Sequence, residues 1–291
     1  MAKVISCSLP EELVPRLDLE AGRQRRSRSF VIAEAVRGYL AEQDRVRDAA
    51  FGRGRDLLLL DGLRLDPTHR ALESEELFEE AVPFAYGTEP FTRVLADEAA
   101  IAEWKAGTGD LLLVKPPAGR VAEAGVRTRI ARVCGVLNGA GVRYVLIGGA
   151  AANLHGVVRA TKDIDVLIEA TVDNAARALE ALARGLTFGI AAELDAREVA
   201  RAPFTIVGDT PRVDLLTVAW SVRYPEAADS ARDVEVEGVS VPLAAIPVLI
   251  QSKGAGRLRD LADIEELRRL VAVRGRGMPG PEASSTPDPE P

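Results

Sequence analysis

The chain has 291 residues, a formal net charge of −7 and an apolar share of 47%, enough material for a packed core and one or two domains. The acidic balance speaks against an extended phosphate-binding groove but leaves local basic patches open. Two cysteines (Cys7, Cys134) and two histidines (His69, His155) supply neither a disulfide framework nor a Cys/His zinc cluster. No apolar run approaches a membrane span, and Pro10, Glu11 and Glu12 stand where a signal peptide needs an apolar segment, so a cytoplasmic protein without a membrane partner is expected.

Residues 3–9, KVISCSL, alternate as a short strand, with Ile5, Cys7 and Leu9 on one face and Val4, Ser6 and Ser8 on the other. Pro10 opens a helix with Glu11 and Glu12 in its first turn; it runs to about Gly22 and is weakened by Pro15. After the basic loop RQRRSRS, Ser27 is a candidate N-cap for a second helix striped by Val31, Ile32, Ala35, Val36 and Leu40. One strand and two helices bury too little to fold alone, so the segment calls for a second copy. It resembles the ribbon-helix-helix DNA-binding proteins, in which two chains pair their strands into a ribbon that enters the major groove. The resemblance implies a homodimer through residues 1–43, with Val4, Ser6 and Ser8 toward the bases and the amides near Ser27 and Arg28 on a backbone phosphate. The small side chains of Val4, Ser6 and Ser8 depart from the long polar readers of that family. A helical hairpin with a solvated arginine loop is the plainer alternative.

Residues 44–127 carry no recognisable chemistry. ESEELFEEA reads as a helix, FTRVLADEAAIAEWKAG as a second helix ended by Gly107, and DLLLV as a short strand, together a mostly helical linker region. At the other end of the chain, residues 273–291 are rich in Pro, Gly and Ser and read as a disordered tail.

Between these lies the informative stretch, 128–272. Ile130, Val133, Cys134 and Leu137 fall on one helical face, and RYVLI follows as a strand ended by Gly148 and Gly149. AAANLH then begins a short helix closed by Gly156, so the amides of the glycine turn sit at a helix N-terminus, a place for a phosphate. In the next strand, KDIDVLIE, Asp163 and Asp165 project from one face and Ile164, Val166 and Ile168 from the other. Neither carboxylate has an assured basic neighbour, and a hard divalent cation, Mg2+ or Mn2+, would relieve their repulsion. FTIVGDTPRVDLLTV reads as two strands about a turn, with Asp214 among apolar neighbours as a third acid.

A glycine pair, a short helix, Asp-x-Asp in a strand and a third Asp in a later strand resemble the DNA polymerase β-type nucleotidyltransferases, most of all the small prokaryotic ones of toxin-antitoxin systems. The likeness covers about residues 128–270. It implies that Gly148 and Gly149 bind a nucleoside triphosphate, that Asp163, Asp165 and Asp214 hold metal, that Lys253 reaches a phosphate, and that Arg257 and Asp260 brace the site. Arg159, Thr161 and Lys162 are further phosphate candidates from their place in the preceding loop, against a plain polar loop capped by Thr161. His155 reads first as a structural residue at a helix end.

The expected fold class is therefore α+β, a ribbon-helix-helix module followed by a mixed sheet with flanking helices. The expected function is transfer of a nucleoside monophosphate to an acceptor hydroxyl on an RNA end, a protein or a small molecule, linked to an autoregulatory DNA-binding module in a toxin-antitoxin or defence setting. The alternatives are a DNA-binding regulator whose nucleotidyltransferase fold is catalytically silent, and an antibiotic-modifying transferase.

Overall fold

A computed structural model of the chain describes residues 10–81, 86–107, 112–114, 128–253 and 258–276. The chain divides into two compact units, 1–57 and 58–291.

In the first unit a 3-10 turn, Glu11–Leu13, leads into α1, Val14–Gln24. Pro15 sits in the opening turn of α1 and does not weaken it, because the amides there have no partner within the helix. Arg25, at φ +51°, ends the helix in the left-handed conformation. Ser27 then caps α2, its hydroxyl accepting from the Phe30 amide at 3.2 Å, as the sequence suggested. Arg28 pairs with Asp18 and so ties the start of α2 to α1. α2 runs Arg28–Arg64, well past the expected end near residue 42. The expected strand 3–9, with Val4, Ser6 and Ser8, lies outside the described residues.

The second unit takes in the end of α2 from Leu58 and continues with α3, Pro67–Ala81, β1, Tyr86–Thr88, and β2, Phe91–Leu95. The expected helix over FTRVLADEAAIAEWKAG is corrected here. Only α4, Glu98–Ala106, is helical, with Asp97 accepting from the Ala100 amide as its cap, while FTRVL is a strand. β3, Leu112–Val114, pairs with β1 in parallel. α5, Arg129–Gly139, β4, Tyr144–Leu146, and α6, Gly148–His155, then lead to β5, Asp163–Ile168. The remaining elements are α7, Val172–Gly185; α8, Ala196–Arg201; β6, Phe204–Gly208; β7, Arg212–Leu216; the short hairpin β8, Val218–Ala219, and β9, Val222–Arg223; α9, Tyr224–Ser230; β10, Arg232–Val236; β11, Val239–Leu243; α10, Ile246–Gln251; and α11, Leu258–Gly275. α11 continues beyond the expected start of the tail at 273, with Val273 buried.

Seven strands form one mixed sheet in the order β10-β11-β4-β5-β7-β6-β2. β5 and β7 run parallel at its centre, in a register that sets Asp165 beside Asp214 and Ile164 beside Val213. Ile164, Val166 and Ile168 are fully buried, as are Val133, Cys134 and Leu137 of α5, so one core fills the sheet face. Each such side chain contributes roughly 1.5–3 kcal/mol by leaving water. The segment expected to be a linker is built into this unit: β2 pairs with β6 over five residues, and α3 packs on α6.

Candidate active site

Three acids meet where β5 and β7 lie side by side. Asp163 and Asp165 stand two residues apart on β5, and Asp214 is the register partner of Asp165. Gly148, at φ +69°, starts α6 directly against them. A Cβ on Gly148 would fall 1.9 Å from Oδ2 of Asp165 and 2.6 Å from its Cγ, so only glycine lets the turn come this close. A Cβ on Gly149 would meet Thr161 Oγ1 at 2.8 Å. The glycine pair, Thr161 and the acids thus share one small hollow of about 140 Å3.

Charge in this hollow is balanced by Arg212, which the sequence did not single out, and by Lys162, which it did. Arg212, two residues before Asp214, forms a fork on its carboxylate, with Nε donating to Oδ1 and Nη2 to Oδ2, both at 2.9 Å and both side chains buried. Its Nη2 also stands 3.9 Å from Asp163 Oδ2, and Lys162 Nζ stands 3.8 Å from the same oxygen. The expectation that neither Asp163 nor Asp165 has an assured basic neighbour is therefore corrected for Asp163. Even so, burial, then Asp163 and Asp214, push the Asp165 carboxyl up to about 7, and burial outweighs Arg212 in pushing Asp214 up to about 6. Burial works against the charge of Arg212, but the surrounding acids raise its proton affinity above the ordinary value.

The remaining walls are basic. Lys253, after α10, donates to Asp263 Oδ2 at 2.5 Å, and Arg159 reaches the same carboxylate at 3.1 Å. Asp263 on α11 thus gathers two cations at the rim. Asp260, one turn earlier, is buried and lines the same hollow, while Arg257 lies outside the described residues. The buried Nε of Arg159 has no hydrogen-bond partner among the described residues. Lys105 of α4 lines the opposite wall, 4.8 Å above the Phe204 ring.

The loop that delivers Thr161 and Lys162 is held from α3 and α5. Ser74 donates to the Arg159 carbonyl at 3.0 Å and accepts from Asn153 Nδ2 at 2.6 Å, and Asn153 Oδ1 accepts from the Arg159 amide at 3.1 Å. Arg129 binds the carbonyls of Thr161 and Lys162, pairs with Glu75 and stacks 3.5 Å over Phe78. Acidic, helical ESEELFEEA is therefore the brace of the loop that carries Thr161 and Lys162.

His155 is structural: its Nε2 lies 2.8 Å from the Ala244 carbonyl, and burial lowers its proton affinity. A larger hollow of about 800 Å3 opens at the far end of α6, but its Arg70 and Arg274 each donate to the helix's last carbonyls, Leu154 and His155, at 2.5 Å. Those arginines cap a helix C-terminus.

The donor chemistry fits a hard divalent cation, since the acids offer only oxygen and each carboxylate oxygen of Asp214 keeps a lone pair after binding Arg212. As they stand, however, Asp163, Asp165 and Asp214 do not form a group able to hold a metal ion, and no other three His, Cys, Asp or Glu side chains among the described residues do. No helix among them is long and apolar enough to cross a membrane. No protein-family model matches the chain, and no curated protein matches it either.

Proposed function

We propose that the larger unit is a nucleotidyltransferase that moves a nucleoside monophosphate from a nucleoside triphosphate to an acceptor hydroxyl. The observation that carries this reading is the meeting of Asp163, Asp165 and Asp214 on two adjacent strands with the left-handed Gly148 packed onto Asp165. In the proposed reaction the hydroxyl oxygen bonds to the α-phosphorus, the bond to the pyrophosphate oxygen breaks, and the hydroxyl proton passes to a carboxylate. Asp214 suits that last role by its place on β7 directly beside Asp165. The amides of the glycine turn orient the triphosphate, and Arg159 and Lys253, gathered by Asp263, neutralise the leaving group. Magnesium or manganese held by Asp163 and Asp165, with Asp214 behind them, would supply Lewis-acid charge at the phosphate.

For the first unit we infer a DNA-binding homodimer of the ribbon-helix-helix kind. The helix pair α1–α2 supports it, and so do the exposed Leu19, Val36 and Tyr39, which a partner chain would cover.

A second reading, a regulator with a silent transferase fold, is favoured by one feature: Arg212 already gives Asp214 an internal counter-charge. Incubating the full chain and Asp165→Asn with each labelled triphosphate, magnesium and cell extract separates the two. Label transferred by the parent and lost in the variant supports catalysis; binding of triphosphate without any transfer supports the silent fold.

A further inference from the structure

We propose that Trp220 is the platform on which the base of the triphosphate stacks, an inference that rests on the nucleotidyltransferase reading. Trp220 and Ser221 form the two-residue turn between β8 and β9, closed by the pairs Ala219↔Val222 and Val218↔Arg223. Trp220 occupies the first turn position at φ +57°, where glycine is the usual residue and a bulky side chain is penalised. Burial does not offset that penalty, since the side chain is 61% exposed. A large, strained, exposed aromatic at a place suited to glycine points to a contact made outside the folded chain.

Its position says which contact. Ala219, immediately before it, lines the acid hollow. Ser221, immediately after it, accepts from Gln251 Nε2 at 3.5 Å, and Gln251 also donates to Glu226 at 2.9 Å. The next residues along, Ser252 and Lys253, line the hollow again. The turn that carries Trp220 is therefore joined on one side to Ala219 and tied on the other, through Gln251, to the segment Ser252–Lys253, both part of the site wall. The hollow itself, at about 140 Å3, is well short of the roughly 300 Å3 at which pockets begin to enclose a small ligand. It has room for phosphate groups and leaves the base at the rim. Stacking on an indole is indifferent to base identity, so this site takes purine and pyrimidine nucleotides alike.

The test uses the full chain carrying Trp104→Phe, so that Trp220 is the only tryptophan, since the chain has two. ATP, UTP and inorganic tripolyphosphate are each titrated with magnesium, by fluorescence for the parent and by calorimetry for Trp220→Gly and Trp220→Tyr. Both nucleotides should quench Trp220, and their affinity should fall about tenfold in Trp220→Gly and be largely kept in Trp220→Tyr. Tripolyphosphate, which has no base, should bind all three proteins alike. Because glycine relieves the backbone strain, Trp220→Gly should melt no lower than its parent, which separates lost stacking from lost folding. Nucleotide affinity unchanged in Trp220→Gly, or tripolyphosphate weakened as much as ATP, overturns the proposal. If the parent binds neither nucleotide nor tripolyphosphate, the transferase reading itself fails and the platform with it.

Discussion

Gly148→Ala tests the heart of the site in a single methyl group. The new Cβ would sit 1.9 Å from Asp165 Oδ2, 2.6 Å from Cγ and 2.8 Å from Cβ, against an ordinary contact of about 3.5–4 Å. Rotating the carboxylate removes the first clash but not the third, because Asp165 is anchored on β5 between β4 and β7. The φ of +69° adds about 1–2 kcal/mol for any residue with a Cβ, and the overpacking adds about 1–3 kcal/mol. A loss of about 2–5 kcal/mol is a large part of a typical stability of about 5–15 kcal/mol. At about 2–4 °C per kcal/mol for a unit of this size, melting should fall by about 4–20 °C, read by calorimetry or circular dichroism. Gly149→Ala is the control: the one contact of its Cβ under 3 Å is the rotatable Thr161 hydroxyl at 2.8 Å, with Thr161 Cβ at 3.4 Å and Arg159 Nη2 at 3.5 Å, there is no positive φ, and it should cost about 1 kcal/mol. If Gly148→Ala melts within about 1 °C of the parent and binds magnesium nucleotide equally well, the close packing of glycine on Asp165 has no bearing on fold or site.

Arg212→Ala should destabilise by about 3–5 kcal/mol, because it strands the buried Asp214 carboxylate, whereas Arg212→Met with Asp214→Leu should recover most of the loss; equal melting of single and double variants in thermal scans would refute the pairing. The metal-free protein should lose stability as pH rises. The folded Asp165 and Asp214 hold protons up to about 7 and about 6, above the ordinary 3.8, so the stability they give is full below pH 3.8 and is lost as pH climbs through 6–7. Melting should therefore be lower at pH 8 than at pH 5, and the difference should shrink in Asp165→Asn.

The stretch from α5 to β7 was legible because its signals are local. Period 3.6 in Ile130, Val133, Cys134 and Leu137, period 2 in DIDVLI, and glycine punctuation all match the observed elements. FTRVL was misjudged because its partner, Phe204–Gly208, lies more than a hundred residues away, and no local pattern carries that pairing. Arg212 could have been found: R-x-D puts its two side chains on one strand face by the same spacing as D-x-D. Asp263 could not, since the first half of α11 carries four acids, Asp260, Asp263, Glu265 and Glu266, and only the folded chain selects the one that meets Lys253 and Arg159. The left-handed turn at Trp220 leaves no trace in a sequence that puts tryptophan where glycine is usual.

The placement of β2 decides where this protein can be cut. A fragment begun at 128, where the helical and strand periods first become clear, would lose the strand that covers β6 from Phe91 to Leu95. The row of amides and carbonyls on the wholly buried Phe204–Gly208 would then face solvent, and so would the flat patch at Gly208 on which the Phe91 ring rests. Such an open border invites strands from other molecules, so the shorter piece would associate with its own copies. It would also lack Ser74 and Glu75, and with them the hold on the loop carrying Thr161. The smallest self-sufficient form of the larger unit therefore begins ahead of α3, in sequence whose local pattern shows no sign of belonging to the sheet.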